Sequence, residues 1–291
     1  MKINKILPSA SVFTERLCLI DRVPKHINYL GNLPQSPVPV VAIVGTRKPS
    51  RYGVEVTQRI AFDLAKSGVV IVSGLALGVD AIAHQAALDA KGITIGVVIN
   101  KLPDISPKTN VALAKRMIDS GGAIISEWSE GDEALFSKAS FLQRNRLVSG
   151  LSDAIIIIEA AAKSGTLNTA AHALAQGREV FVVPGNITSP LSEGCNNLLK
   201  QGATPITCAD DVLEIIAPQL IATNKQDQSS LLFGDTPAET AILQLIASGV
   251  RDGETLQNQS QLSAADFSTA LTMLEINNLI KPLGANQWTI R

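Results

Sequence analysis

The sequence predicts an α/β protein in which a doubly wound parallel sheet is followed by a small winged-helix module. The sheet is predicted by short β-branched apolar runs that recur from Val38 onward and by the segments of helical length between them. The module is predicted by two helical segments and a short hairpin pattern that follow a polar interval near the C-terminus. The composition of 46% hydrophobic and 18% charged residues supports a large core and excludes a disordered protein.

Six apolar runs are the predicted strands of the sheet. They span residues 40–44, 69–72, 94–98, 123–126, 154–158 and 179–183. The run from 154 to 158 has no polar alternation, which is typical of a strand buried on both faces of a parallel sheet. Ligands of doubly wound folds bind beyond the carboxyl ends of the strands, so the loops that follow these runs are the predicted location of function.

Composition also predicts the domain boundaries. Residues 1–37 form an N-terminal extension of unassigned fold, residues 38–216 form the α/β domain, and the polar stretch 217–235 forms a linker. The winged-helix module spans 236–291. Its predicted elements are helices at 237–247 and 263–277 and a hairpin at 279–290.

Charge and apolar patterning narrow the class of protein. The 25 basic and 26 acidic residues nearly balance, which excludes a globally basic nucleic-acid coat protein. No apolar run is long enough for a membrane span, and none suited to a signal peptide follows the N-terminal lysines. The cysteines at 18, 195 and 208 form neither a disulfide framework nor a metal pair. We therefore expect a cytoplasmic protein with reduced thiols.

The loop after the first predicted strand has the composition of an anion-binding loop. Gly45 permits a tight turn and Thr46 offers a hydroxyl. Arg47 and Arg51 supply charge ahead of a helix expected to begin near Gly53. The segment lacks the GxGxxG and GxxxxGK[ST] patterns, which weakens an NAD or ATP interpretation. A surface loop with solvated charges is the alternative.

Small residues follow the second strand, where Ser73 and Gly74 allow a ligand or another backbone to approach closely. Asp80 and His84 lie one helical turn apart and can hydrogen-bond each other. No nucleophile accompanies them at useful spacing, so a structural role is favoured over acid–base catalysis.

A cationic segment precedes the most apolar strand. Its candidate contacts to phosphates or base edges are Lys138, Gln143, Arg144, Asn145 and Arg146. The alternative, given weight for one of the two arginines, is ion pairing with the acidic run Glu127, Glu130, Asp132 and Glu133.

A second potential anion cradle follows that strand. Ser164, Gly165 and Thr166 stand at the start of a predicted helix, and Lys163 adds charge at the rim. The histidines are isolated and no cluster of metal ligands is present, so neither a metal nor a cofactor is expected.

Taken in order, these motifs resemble the DprA/Smf family of DNA-processing proteins. The resemblance spans residues 38–216 and is carried by GTR at 45–47, SGLALGVD at 73–80, RNR at 144–146, SGTL at 164–167 and VPG at 183–185. It implies an extended Rossmann-like domain, commonly followed by a winged helix. It also implies a non-enzymatic protein that binds single-stranded DNA, dimerises, protects incoming strands and loads RecA recombinase on them during natural transformation.

Residue by residue, the family's DNA-binding cations fall on Arg47, Lys138, Arg144, Arg146 and Lys163. The chain departs from the family pattern at 100–110, where a Gly-rich turn and a tyrosine are lost while Pro107 and Asn110 remain. The family's N-terminal helical domain is not recognisable in residues 1–37. The DNA-binding interpretation requires the separate cations to converge at one rim of the sheet.

Two further hypotheses stay open. LOG phosphoribohydrolases share this kind of sheet and carry PGGxGTxxE, but alignment on Gly165 and Thr166 places Thr169 where the glutamate should stand. A nucleotide-binding or nucleotide-hydrolysing enzyme or sensor is therefore the second interpretation. The predicted helix 263–277 has no lysine or arginine, which disfavours major-groove binding and favours a protein-contact role for the winged helix.

Overall fold

The fold is described from a computed structural model that covers residues 2–128, 138–221 and 234–290, without the side chain of Lys138. Two compact units make up the chain, residues 1–220 and residues 221–291. None of the helices in these described ranges is long and apolar enough to cross a membrane.

The first unit contains a nine-stranded sheet in the order β1-β2-β6-β5-β4-β3-β7-β8-β9. Its strands are β1 (Asn4–Ile6), β2 (Ile27–Gly31), β3 (Val40–Val44), β4 (Val70–Ser73), β5 (Thr94–Val97), β6 (Ala123–Ser126), β7 (Ala154–Ile157), β8 (Glu179–Val182) and β9 (Thr204–Pro205). Strands β3 to β9 are mutually parallel. All six predicted strands are confirmed within one residue, because continuous apolar runs fit positions covered on both faces.

Within the described residues up to 216, α-helices alternate with the strands of the sheet. They are α1 (Arg51–Lys66), α2 (Val79–Asp89), α3 (Val111–Asp119), α4 (Lys138–Gly150), α5 (Thr166–Ala175), α6 (Glu193–Lys200) and α7 (Ala209–Ile216). Every residue of the five strands β3 to β7 is buried. This core fixes the strands rigidly, so the loops at their carboxyl ends are held at one edge of the sheet.

Residues 1–37, to which the sequence assigned no fold, extend the sheet at one edge. Strand β2 pairs antiparallel with β6, and β1 pairs antiparallel with β2. Arg16 ties the segment to the rest of the unit by donating to Asp153 at 2.9 Å and to the Val38 carbonyl at 2.9 Å. These strands were not predicted because they are short and their apolar residues have no regular period.

From residue 234 to 290, the described part of the second unit contains the helices α8 (Pro237–Ala247), α9 (Gly253–Ser260) and α10 (Ala264–Ile276). A hairpin of β10 (Ile280–Gly284) and β11 (Gln287–Ile290) follows them. The predicted helices α8 and α10 and the hairpin are confirmed. Helix α9 was missed because its sequence is mostly polar and buries little besides Leu256. The chain reverses through Ala285 and Asn286, whose φ angles of 47° and 61° suit a tight hairpin turn.

Candidate nucleic-acid interface

A cavity of 510 Å³ opens at the carboxyl edge of the sheet, beside the ends of β3, β4 and β7. The predicted site residues that line it are Gly45, Thr46, Arg47, Gly74, Arg144, Asn145, Ser164, Gly165 and Thr166. The structure thus brings together helix α4 and three loops that are far apart in the sequence, because the parallel strands before those loops end at the same edge.

The loop between β3 and α1 forms one wall of this cavity. Helix α1 begins at Arg51, slightly earlier than expected, and Ser50 caps it by accepting a hydrogen bond from the Gly53 amide at 3.1 Å. Arg51 is exposed on the first turn of the helix and does not line the cavity. From this loop Thr46 and Arg47 therefore reach the cavity, and Arg51 does not.

Arg47 lies over an aromatic ring at the cavity. Its guanidinium carbon is 5.2 Å from the centroid of Phe141, within the range of a cation–π contact. Phe141 also lines the cavity, although it was not among the predicted site residues. An aromatic residue inside the cationic segment was the available signal, since such rings stack on unpaired bases in single-strand binding proteins.

Arg144 is only 6% exposed and forms part of the cavity wall. Its Nη1 donates to the Gly74 carbonyl at 2.6 Å and to the Val97 carbonyl. Burial lowers the pKa of Arg144 to about 10, while Asp80 acts in the opposite direction. The guanidinium therefore stays charged at neutral pH. The position of this guanidinium also explains why residue 74 is a glycine, because a Cβ there would stand 2.6 Å from it.

The carboxylate in the cavity wall is that of Asp80, which accepts hydrogen bonds from the amides of Gly74 at 3.0 Å and Ala76 at 3.4 Å. Burial raises its pKa, although Arg144 and these amides lower it. The hydrogen bonds orient Asp80 toward the loop after β4. The structural role expected for this residue is therefore the one observed.

His84 has a different partner from the one considered for it. Its Nδ1 lies 2.6 Å from the hydroxyl of Thr94, which itself donates to the Ile71 carbonyl, so Nδ1–H is the donor. Burial and the charge of Arg144 lower the pKa of His84 to about 3. The hydrogen bond considered between Asp80 and His84 is therefore not formed. The histidine is a neutral core residue.

Arg146 does not line the cavity. It is 5% exposed, and its Nη2 lies 2.5 Å from Oε2 of Glu127 in a buried ion pair. Residues two positions apart on a helix point in nearly opposite directions, so Arg144 and Arg146 cannot serve the same surface of α4. The ion-pair alternative is the correct one for Arg146, and the other acidic residues of that run lie outside the described residues.

The remaining predicted residues lie at or beyond the rim. Ser73 is buried and donates to the Ile43 carbonyl at 2.6 Å, which is a structural role. Gln143 and Lys163 are exposed and do not line the cavity, although Lys163 immediately precedes Ser164. Lys138 is the first residue of α4, and its side chain lies outside the described part of the structure.

The second cradle lies at the start of α5. Thr166 is the first residue of that helix, and its amide donates to Oγ of Ser164 at 3.2 Å. Nothing lies within 4 Å of the Cβ position of Gly165, so the backbone is open to an approaching group. Asn145 connects α4 with this turn by donating to Asn168 at 3.4 Å.

The unusual loop at 100–110 also contributes to this edge. Asn110 donates to the carbonyls of Leu75 at 2.9 Å and Ala76 at 3.2 Å, which fixes the loop after β4. Ser106 and Pro107 line a smaller cavity of 110 Å³ that shares Arg47, Phe141 and Arg144 with the larger one. The loop therefore still shapes the site despite the loss of its Gly-rich turn.

The geometry bears on the enzymatic alternative as well. Thr169 lines the cavity at the position where the LOG motif would require a glutamate. Across the described ranges, no group of three or more His, Cys, Asp or Glu residues could hold a metal ion.

Comparison with known proteins places the chain among relatives of similar sequence and fold. Residues 4–217 match the family model described as DNA recombination-mediator protein A, and residues 226–286 match that of the DprA winged helix domain. Protein Smf of Escherichia coli is 44% identical over 174 residues, which are 60% of this chain and 46% of that protein. DNA processing protein DprA of Bacillus subtilis is 42% identical over 174 residues, 60% of this chain and 58% of that protein.

Two solved structures share the fold. DNA processing protein A of Streptococcus pneumoniae matches with a TM-score of 0.64 and 36% identity, covering 74% of this chain and 75% of that one. The Helicobacter pylori protein, whose structure is reported for its single-stranded DNA binding mode, matches with a TM-score of 0.65 and 33% identity, covering 77% and 97%. The chain spans about half the length of the first curated relatives. By the family-model match over residues 4–217, the chain belongs to the DprA/Smf family of DNA-processing proteins.

Proposed function

We propose that this protein binds single-stranded DNA along the carboxyl edge of its sheet. The observation that carries the proposal is the convergence of Arg47, Arg144 and the N-terminus of α5 around one cavity with Phe141 in its wall. Cations and helix N-termini neutralise phosphates, and an aromatic ring stacks on a base. The rim residues Lys163 and Gln143 extend the contact outside the cavity.

Single-stranded rather than duplex DNA fits this arrangement. The ring of Phe141 can stack only on a base that is not already stacked and paired within a duplex. The reported single-stranded DNA binding mode of the Helicobacter pylori relative supports the same choice. Arg146 is left out of the proposed contact, because its charge is held by Glu127.

The biological role follows from family membership. We infer a cytoplasmic, non-enzymatic protein of DNA processing that acts in competence and natural transformation. It protects incoming single strands and loads RecA recombinase on them, and it works as a homodimer. The names of the Bacillus subtilis and Streptococcus pneumoniae relatives support DNA processing, whereas RecA loading and dimerisation are implied by the family resemblance alone.

An electrophoretic binding comparison tests the proposal. A labelled oligonucleotide should be retarded as a single strand at protein concentrations that leave the corresponding duplex free. Equal or stronger binding of the duplex would contradict the proposed site. Incubation with nucleoside monophosphates tests the enzymatic alternative, since release of free base would show hydrolysis.

The winged-helix unit favours a different role, contact with another protein. On α10 the outward side chains of Met273 and Ile276 are 40% and 65% exposed, and the outward positions of that helix include no basic residue. A face that exposes Asp266 together with these apolar side chains, and no cation, suits protein contact better than a phosphate backbone. DNA binding by residues 236–291 alone should be undetectable, and affinity comparable to that of the full chain would overturn this role.

A further inference from the structure

Glu159 lies behind the loop that carries Arg47. It follows strand β7, is 3% exposed, and is not among the residues that line the 510 Å³ cavity. It lines a separate cavity of 440 Å³ together with Ser50 and Tyr52. Glu159 therefore contacts the loop outside the cavity of the proposed DNA contact.

Three hydrogen bonds join Glu159 to the two ends of this loop. Its backbone carbonyl accepts from the Thr46 amide at 2.8 Å. Its carboxylate accepts from the amide of Ser50 at 2.8 Å and from the hydroxyl of Ser50 at 2.5 Å. Arg47 lies between the two points that are held. A buried carboxylate with two donors forms charge-assisted hydrogen bonds, which are stronger than neutral ones.

Gly53 is shaped by the same contact. A Cβ at this position would stand 2.3 Å from Oε2 of Glu159. The first turn of α1 therefore has a glycine where the carboxylate needs room to reach Ser50. The cap of α1 depends on this arrangement too, because the Ser50 hydroxyl that donates to Glu159 also accepts from the Gly53 amide.

We propose that Glu159 is a positioning residue for DNA binding, which holds the 45–50 loop so that Arg47 faces the cavity. The proposal rests on the proposed function. The proposal and simple electrostatics predict opposite changes in DNA affinity when Glu159 loses its charge. Removal of a negative charge near a DNA site should strengthen binding by charge alone. Removal of a positioning residue should weaken it.

The test compares Glu159→Gln with a matched control. Glu159→Gln removes the charge but leaves one acceptor, whereas Glu179→Gln removes an equal charge from the exposed start of β8 at the opposite edge of the sheet. We expect Glu159→Gln to weaken binding of a single-stranded oligonucleotide by about five- to tenfold, and Glu179→Gln to leave it unchanged. Unchanged or tighter binding by folded Glu159→Gln would overturn the proposal.

Gly53→Ala disturbs the contact between Glu159 and Ser50 without replacing either residue. Alanine favours the helix, and the atom it meets is the far end of a flexible side chain, so the protein should fold while the carboxylate is displaced from Ser50. We expect a loss of affinity similar to that of Glu159→Gln. Normal affinity in a Gly53→Ala protein would count against the positioning role.

The Arg47→Ala background separates positioning from a general structural effect. If Glu159 acts through Arg47, the effect of Glu159→Gln should shrink to less than about twofold in this background. An equal loss in both backgrounds would contradict the proposal.

Hydrogen exchange measured on peptide 45–53 without DNA gives a second readout. We expect faster exchange in Glu159→Gln, because the Ser50 amide loses its carboxylate acceptor and the loop is held less firmly. Unchanged exchange in a protein that binds DNA would overturn the positioning role alone. Failure of the wild-type protein to bind single-stranded DNA would instead overturn the proposed function.

Discussion

The guanidinium of Arg47 lies 5.2 Å from the centre of the Phe141 ring, so one face of the cavity pairs a cation with an aromatic surface. Arg47 lies in the loop after β3 and Phe141 lies in helix α4, 94 positions farther along the sequence. A nucleotide entering the cavity would meet both a phosphate-binding group and a stacking surface. This combination separates single-strand recognition from non-specific attraction to a charged patch.

Arg47→Ala should weaken binding of single-stranded DNA and reduce its dependence on salt. Loss of one phosphate contact lowers the slope of log affinity against log salt by about 0.7. Titrations at several salt concentrations measure it. Arg59→Ala is the matched control, since Arg59 is exposed farther along α1 and away from the cavity. An unchanged slope for Arg47→Ala would remove Arg47 from the interface.

Lys163→Ala should reduce affinity and salt slope in the same way, whereas Lys163→Arg should retain both. Lys163 is exposed beside the cradle at Ser164 and can reach a phosphate at the rim. Lys66→Ala is the control, because Lys66 ends α1 about 22 Å along the helix from its start. Equal slopes for the Lys163→Ala and Lys66→Ala proteins would show that Lys163 makes no phosphate contact.

Phe141→Leu should weaken single-strand binding without changing the salt slope. Leucine keeps an apolar side chain of similar size but cannot stack on a base, at a cost of about 1–3 kcal/mol. Fluorescence titration at two salt concentrations distinguishes this from loss of a charge. If Phe141→Leu binds as tightly as the wild type, the ring does not stack on a base of the bound strand.

Arg146→Met should lower the free energy of unfolding and not act on DNA binding directly. Removing one partner of a buried ion pair typically costs about 3–5 kcal/mol. The control is Arg116→Met, whose pairing with Asp89 at 4.0 Å is more than half exposed and should contribute about 0–1 kcal/mol. Urea unfolding measures both. The double variant Arg146→Met/Glu127→Gln should recover part of the loss, and full stability of Arg146→Met would contradict the assigned structural role.

His84 should make the protein less stable as the pH falls. Its pKa in the folded protein is about 3, below its ordinary value of 6.5, so the unfolded chain binds the proton more readily. The contribution is therefore complete above pH 6.5 and is lost toward pH 3, at about 1.4 kcal/mol per pH unit. Unfolding free energies measured at several pH values should fall less steeply below pH 6.5 in His84→Gln than in the wild type. The same pH dependence in both proteins would mean that His84 does not control this loss of stability.

Much of the fold was predictable because its physical signals are local. Continuous apolar runs identify strands buried on both faces, and the boundaries of β3, β6 and α8 agree with those predicted. The extension β1 and β2 was not predictable, because its stability comes from pairing with β6 and from the link between Arg16 and Asp153. Those contacts join residues about a hundred or more positions apart.

By itself, the sequence determined the order of the strands along the chain, the edge where the site lies and the loops that form it. A strand's direction fixes which loops share an edge. The tertiary structure alone decided which charges are available there. Arg144 and Arg146 look equivalent in the sequence, yet α4 directs them to different surroundings, one into the cavity wall and one to Glu127. Burial and ion pairing depend on residues brought together by folding, and for that reason the composition of a motif cannot reveal them.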